Sequence, residues 1–96
     1  MGLEFEWDRD KARSNQRKHR VTFEEAATVF ADVLGITAPD PDHSVNEERY
    51  ITVGLSQRQR LLIVAHTERG NRIRIISARE LTPAEKQDYE QGNYGN

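Results

Sequence analysis

The chain contains no cysteine. Disulfides, thiolate metal sites and a cysteine nucleophile are therefore excluded, and the composition suits a reducing compartment. Long apolar stretches are also missing. The longest is Leu61 to Ala65, whereas a membrane-spanning helix needs about 20 residues. The opening Met-Gly-Leu-Glu-Phe-Glu-Trp-Asp lacks the apolar core of a signal peptide, so a soluble, cytoplasmic protein is expected. There is no Gly-rich phosphate loop, nucleophile elbow or HExxH string. With 96 residues there is no room for separate cofactor and substrate domains. One domain over residues 1–91 is expected, with no cofactor, followed by a Gly/Asn-rich tail at 92–96 that should fray.

What is present reads as a mixture of helix and strand. Leu3 to Trp7 alternates apolar and acidic residues, the period of a half-buried strand. Asp8 then caps a helix over residues 9–19 that is polar nearly all round. Thr22-Phe-Glu-Glu25 is a capping box, followed by Phe23, Ala26, Ala27 and Phe30 on one helical stripe that ends near Asp32. A short strand is expected over 33–38, and a loop at Pro39 to Ser44. Three further strands are expected at 50–55, 61–67 and 73–77, joined by hairpin-length connections. Thr82-Pro-Ala-Glu85 caps a last helix running to about Tyr89. The order β-α-α-β-β-β-β-α points to an α+β fold, with helices packed on one face of an antiparallel sheet.

The net charge of −2 argues at first against a nucleic-acid binder. Counted by segment it does not. Residues 9–20 carry +5, residues 49–79 carry +6, and the remainder is acidic. All seven bases of the second block are arginines: 49, 58, 60, 69, 72, 74 and 79. Arginine's planar fork binds phosphate bidentately and stays charged at any relevant pH. Arg72 and Arg74 share one strand face, Arg69 sits at the hairpin and Arg79 lies just past the strand end. The segment reads as a phosphate-binding surface.

The histidines admit two readings each. His19 either sits favourably at the negative end of a helix dipole or exchanges protons with a substrate. His66 interrupts an apolar strand and reads first as a satisfied half-buried side chain. His43, in Asp40-Pro-Asp-His43, is the most metal-like string. No second histidine lies at helical spacing from it, so no metal is assigned.

Several strings together resemble the BrnT-type toxins, the ribonuclease components of type II toxin–antitoxin pairs. They include Phe5-Glu-Trp-Asp8 with Lys11 and Asn15, Arg17-Lys-His19, Phe23-Glu-Glu-Ala26, and Asp40-Pro-Asp-His43. Glu48-Arg-Tyr50, Thr67-Glu-Arg-Gly70, Ile73-Arg-Ile-Ile-Ser-Ala-Arg79, Glu85 and Tyr89 complete the match, which spans about residues 5–89. One position departs: the family usually has Gly where this chain has Arg20. A glycine there would end the helix in a left-handed conformation, which arginine adopts at some cost.

The resemblance implies a RelE-like fold, RNA cleavage, growth inhibition and a cognate antitoxin. That antitoxin would be BrnA-like, with a ribbon-helix-helix DNA-binding region through which the pair would reach operator DNA. It also implies an active surface of Lys18, His19, Thr67, Glu68, Arg69, Arg74 and Arg79. In that scheme Arg69, Arg74 and Arg79 stabilise the phosphate, Glu68 or His66 is the base, and His19 or Lys18 is the acid, without a metal. Thr67, Arg72 and Arg49 would hold RNA. A rival reading uses the same basic surface to bind RNA or an acidic antitoxin without catalysis.

Overall fold

A computed structural model of the chain describes residues 2–40, 42 and 48–92. Its elements are β1 (Glu4–Glu6), α1 (Arg9–His19), α2 (Phe23–Thr28) with a 3-10 turn (Val29–Ala31), and β2 (Ile36–Pro39). β3 (Tyr50–Leu55), β4 (Leu61–Arg69), β5 (Arg72–Glu80) and α3 (Pro83–Glu90) follow. The class is α+β, as expected. The five strands lie in the order β1-β5-β4-β3-β2. β2 to β5 form the anticipated antiparallel meander, but β1 joins β5 in parallel, so the sheet is mixed.

The helix ends follow local chemistry. The Asp8 carboxylate accepts from Lys11 N at 3.0 Å, and Thr22 Oγ1 accepts from Glu25 N at 3.0 Å. The Thr82 box is complete, with Glu85 accepting from Thr82 N at 2.9 Å. The Thr22 box is only half made. Glu25 turns away, accepting instead from Ser56 Oγ at 2.7 Å and from Arg60 Nε at 2.9 Å. α1 ends at Arg20, which takes the left-handed conformation itself (φ 59°, ψ 31°). The turn usually made by glycine is thus kept, and Lys18 and His19 remain in the last helical turn.

Strand bounds shift where turns intervene. β2 starts three residues later than expected. Asp32 bends the chain there, accepting from Leu34 N through its side chain and from Gly35 N through its carbonyl, both at 3.0 Å. β4 and β5 run longer than expected, because the hairpin closes on Gly70-Asn71 alone, with Gly70 at φ 61°.

The core lies between the helices and one face of the sheet. It contains Val21, Phe23, Ala26 and Val29 from the helical layer and Leu62, Val64, Ile75 and Ala78 from the strands. Phe5, Trp7 and Phe30 pack against it. Burying a side chain such as Phe23 contributes roughly 1.5–3 kcal/mol. α1 has little apolar surface to bury, and one amide anchors it. Asn15 Nδ2 donates to Val21 O at 2.9 Å and to Ala78 O at 2.8 Å, while its Oδ1 accepts from Ala78 N at 3.0 Å. The side chain thereby pairs with β5 as another strand would, beyond the point where β1 stops. No described helix is long and apolar enough to cross a membrane.

Candidate active site

The face of the sheet away from the core carries the candidate site. Its geometry depends on one irregularity. Ala65 pairs with Ser77 and His66 pairs with Ile75, leaving Ile76 as an extra residue in β5. A regular strand would turn Arg74 and Arg79, five positions apart, to opposite faces. The bulge restores them to the same one. The same slip lets both Ile75 and Ala78 reach the core.

Residues directly opposite across strands share a face. Arg74 pairs with Glu6 and Thr67, Arg72 with Glu4 and Arg69, and Arg79 with Ile63. All these side chains belong to the open face. Toward the Arg79 end lies a cavity of about 460 Å³, lined by His19, Arg49, Arg79, Ser77, Asp40 and Asp42 over a floor of Ile51, Ile63 and Ala65. His19 reaches it from the end of α1 and also borders a smaller recess of about 210 Å³ with Lys18, Lys11 and Ser77. The structure thus brings His19, Arg49 and Arg79 to one cavity, with Lys18 adjacent.

Other expected residues lie elsewhere. Arg69, Arg72, Arg74 and Thr67 share the open face but do not line the cavity. Thr67 is buried, and its hydroxyl donates to Glu48 O at 2.8 Å. Glu68 and His66, the two candidate bases, are turned to the opposite, helix-covered side. Glu68 pairs with Ile73, while the His66 ring packs edge-on against Phe30 at 4.9 Å. The reason is parity: both sit one residue out of step with Thr67 and Arg69. His66 is expected half-buried and satisfied; it is fully buried, and only one of its ring nitrogens is partnered among the described residues. Its Nε2 lies 2.7 Å from Thr52 Oγ1, which is 2.7 Å from Thr37 Oγ1, and its Nδ1 has no partner among the described residues. Burial pushes its pKa down to about 4.

Most of the β-strand arginines meet carboxylates. Arg79 forks onto Glu85, with bonds of 2.8 and 3.0 Å, and this bond holds the Glu85 carboxyl down at about 2. Arg74 donates to Glu6 at 2.9 Å and lowers its pKa, and Arg72 approaches Glu4 and Glu6 at 3.3 and 3.6 Å. Arg60 pairs with the buried Glu25 and lies 3.5 Å from Glu80. The Arg60 bond dominates the lowering of the Glu25 pKa.

Asp40, Asp42 and Ser77 were not singled out for catalysis, yet they line the cavity. Asp40 and Asp42 stood in the proline-rich string, read as a loop with a metal-like pattern, and Ser77 stood in the Ile73–Arg79 string that carries the family resemblance. His43 of the proline-rich string lies outside the described residues, as does most of the 92–96 tail. Among the described residues, no three His, Asp or Glu side chains converge as metal ligands.

An α+β domain with an arginine-bearing open sheet face and a helix end closing over it is a fold that comparison identifies. A crystal structure of the Brucella abortus ribonuclease toxin BrnT superposes with a TM-score of 0.62 at 18% identity, covering 84% of this chain and 99% of that one. Comparison with curated protein sequences gives no match. The family described as "Ribonuclease toxin, BrnT, of type II toxin-antitoxin system" matches residues 7–85. The chain belongs to this BrnT family.

Proposed function

We propose that this chain is a metal-independent endoribonuclease that inhibits growth and is neutralised by a BrnA-like antitoxin carrying a ribbon-helix-helix DNA-binding region. The observation that carries the reading is the shared cavity of His19, Arg49 and Arg79 on the open sheet face.

RNA cleavage without a metal proceeds by attack of the 2′-OH on the adjacent phosphorus. The 2′-oxygen loses its proton, the phosphorane gathers negative charge, and the 5′-oxygen leaves with a proton. Arg79 and Arg49 supply positive charge to the phosphorane. Glu85 holds the Arg79 fork in place, so little reordering is needed when the charge develops. His19 exchanges the proton, and Lys18 lends charge beside it. Arg74, Arg72, Arg69 and Thr67 continue the same face and guide the flanking backbone. Glu68 and His66 have no part in this scheme, because both lie on the helix-covered side.

Incubation of the purified protein with RNA tests the reading. Cleavage with 2′,3′-cyclic phosphate ends is expected, unchanged by EDTA and lost in His19→Ala. Intact RNA would leave only a binding role, and a requirement for divalent metal would sink the mechanism.

A further inference from the structure

The first helix and its cap carry Arg9, Lys11, Arg13, Arg17, Lys18 and Arg20 against a single acid, Asp10. Among the described residues, none of these six makes an ion pair. Like charges on one helix repel at one-turn spacing, so the fold keeps this charge at a cost. Helical spacing divides it into two sets. Lys11 and Lys18 border the recess beside His19. Arg13 and Arg17, four residues apart, line a different groove of about 330 Å³ with Gln16.

That groove runs on. Gln16 and Arg17 also line a second one, of about 410 Å³, with Arg20, Thr22 and Arg58. Arg58 sits on a loop that Arg60 ties down. Arg60 donates to Arg20 O at 3.0 Å and pairs with Glu25, tying the loop between β3 and β4 to the end of α1. The two grooves make one path, about 10 Å long from Arg13 to Arg20 at 1.5 Å per helical residue.

We propose that Arg13, Arg17, Arg20 and Arg58 form an outer grip for the sugar-phosphate backbone of an extended RNA, separate from the cleavage cavity. The proposal rests on the ribonuclease reading, since His19 at the end of the same helix brings RNA to this side of the molecule. An acidic peptide is the weaker fit. A peptide that orders on docking draws affinity from apolar anchors in a groove. These grooves are lined by Arg, Gln and Thr, so their apolar surface is that of side-chain stems and includes no apolar residue that could anchor a peptide. The exposed large apolar side chains, Leu3, Val33, Leu34 and Leu55, belong to other parts of the chain. Phosphates need only the arginine forks.

The test measures affinity for a single-stranded RNA of about 20 nucleotides across a salt series, and cleavage of a trinucleotide that occupies the cavity alone. Each lost phosphate contact lowers the slope of log affinity against log salt by about 0.7, so Arg13→Gln/Arg17→Gln should lower it by about 1.4. Trinucleotide cleavage should be unchanged. Lys86→Gln, on α3, removes one positive charge elsewhere and should leave the slope intact. A retained slope in the double variant overturns the outer grip. So does an equal loss on the trinucleotide, an equal effect of Lys86→Gln, or a loss confined to antitoxin binding. Should the double variant lose its helical circular dichroism, Arg58→Gln alone gives the same reading, with an expected drop of about 0.7. Wild-type protein that neither binds nor cuts RNA would instead bring down the ribonuclease reading, a distinct result.

Discussion

The two basic blocks of this chain look alike in composition and differ in use. On α1 the cations make no ion pairs among the described residues, and a single buried amide, Asn15, holds the helix in place. In the second block Arg60, Arg72, Arg74 and Arg79 are each met by a glutamate. The lesson is that charge density alone does not mark a binding surface. A paired arginine is partly architecture: Arg60 ties a loop to the helices, and Arg74 ties β1 to β5. An unpaired one keeps its charge exposed, which is what the proposed outer grip requires. Arg79 stands between, fixed by Glu85 yet lining the cavity.

Removing Arg79 presses hardest on this contrast. Arg79→Ala should lower RNA cleavage by about 10²–10³-fold, the usual loss when one group stabilising developing charge is deleted. Single-turnover kinetics on wild type and variant give the ratio. Wild-type rates in Arg79→Ala would reduce Arg79 to architecture, like Arg60.

Glu25 tests the architectural side. Glu25→Gln leaves the Arg60 guanidinium without its main partner beside the core, at a cost of about 3 kcal/mol. Urea denaturation should show the loss. The wild-type pair also has a pH signature. The Glu25 pKa is lowered on folding, so its contribution is present above the ordinary value near 4.5 and fades as pH falls through the folded value. Glu85 does the same between about 4.5 and about 2.

His66 adds an acid-sensitive step at higher pH. Its folded pKa of about 4 lies below the ordinary 6.5, so the unfolded chain binds the proton first. Stability is full above pH 6.5 and declines toward pH 4, by roughly 3 kcal/mol in all. His66→Phe should flatten that limb in denaturation curves taken at successive pH values. RNA cleavage above pH 6.5 should persist in the variant, since the ring faces away from the cavity.

The smallest expected change concerns the left-handed end of α1. Arg20→Gly relieves the left-handed strain at φ 59° and should stabilise the fold by about 1 kcal/mol, raising the melting temperature by about 4–8 °C. It also removes one cation from the outer path, so the salt slope for long RNA should drop by about 0.7.

Much of the fold was readable in order along the chain. Asp8, Thr22 and Thr82 each announce a helix start within four residues, and Gly70-Asn71 marks a turn, though the hairpin closes more tightly than the expected connection over 68–72. The expected catalytic set was less readable. Lys18, His19 and Arg79 converge on one region, whereas Glu68 and His66 lie on the other, helix-covered face of the sheet. Their alternation with Thr67 and Arg69 was visible, but which face was open was not. Asn15 stood in a string of polar residues and gave no sign that it would be the buried one.

Caps, turns, strand periods and the two blocks of charge are local properties, encoded within a few neighbouring residues, and the chain specifies them without reference to the rest. Three matters were settled only on folding. β1 docks in parallel on β5, with partners 68 residues apart such as Glu6 and Arg74. The extra residue Ile76 turns Arg79 onto the face that Arg74 occupies. The glutamates then choose which arginines they neutralise. Each depends on register, and a shift of one residue exchanges the two faces of a strand. The cavity therefore exists because distant segments met in one alignment and not in the next.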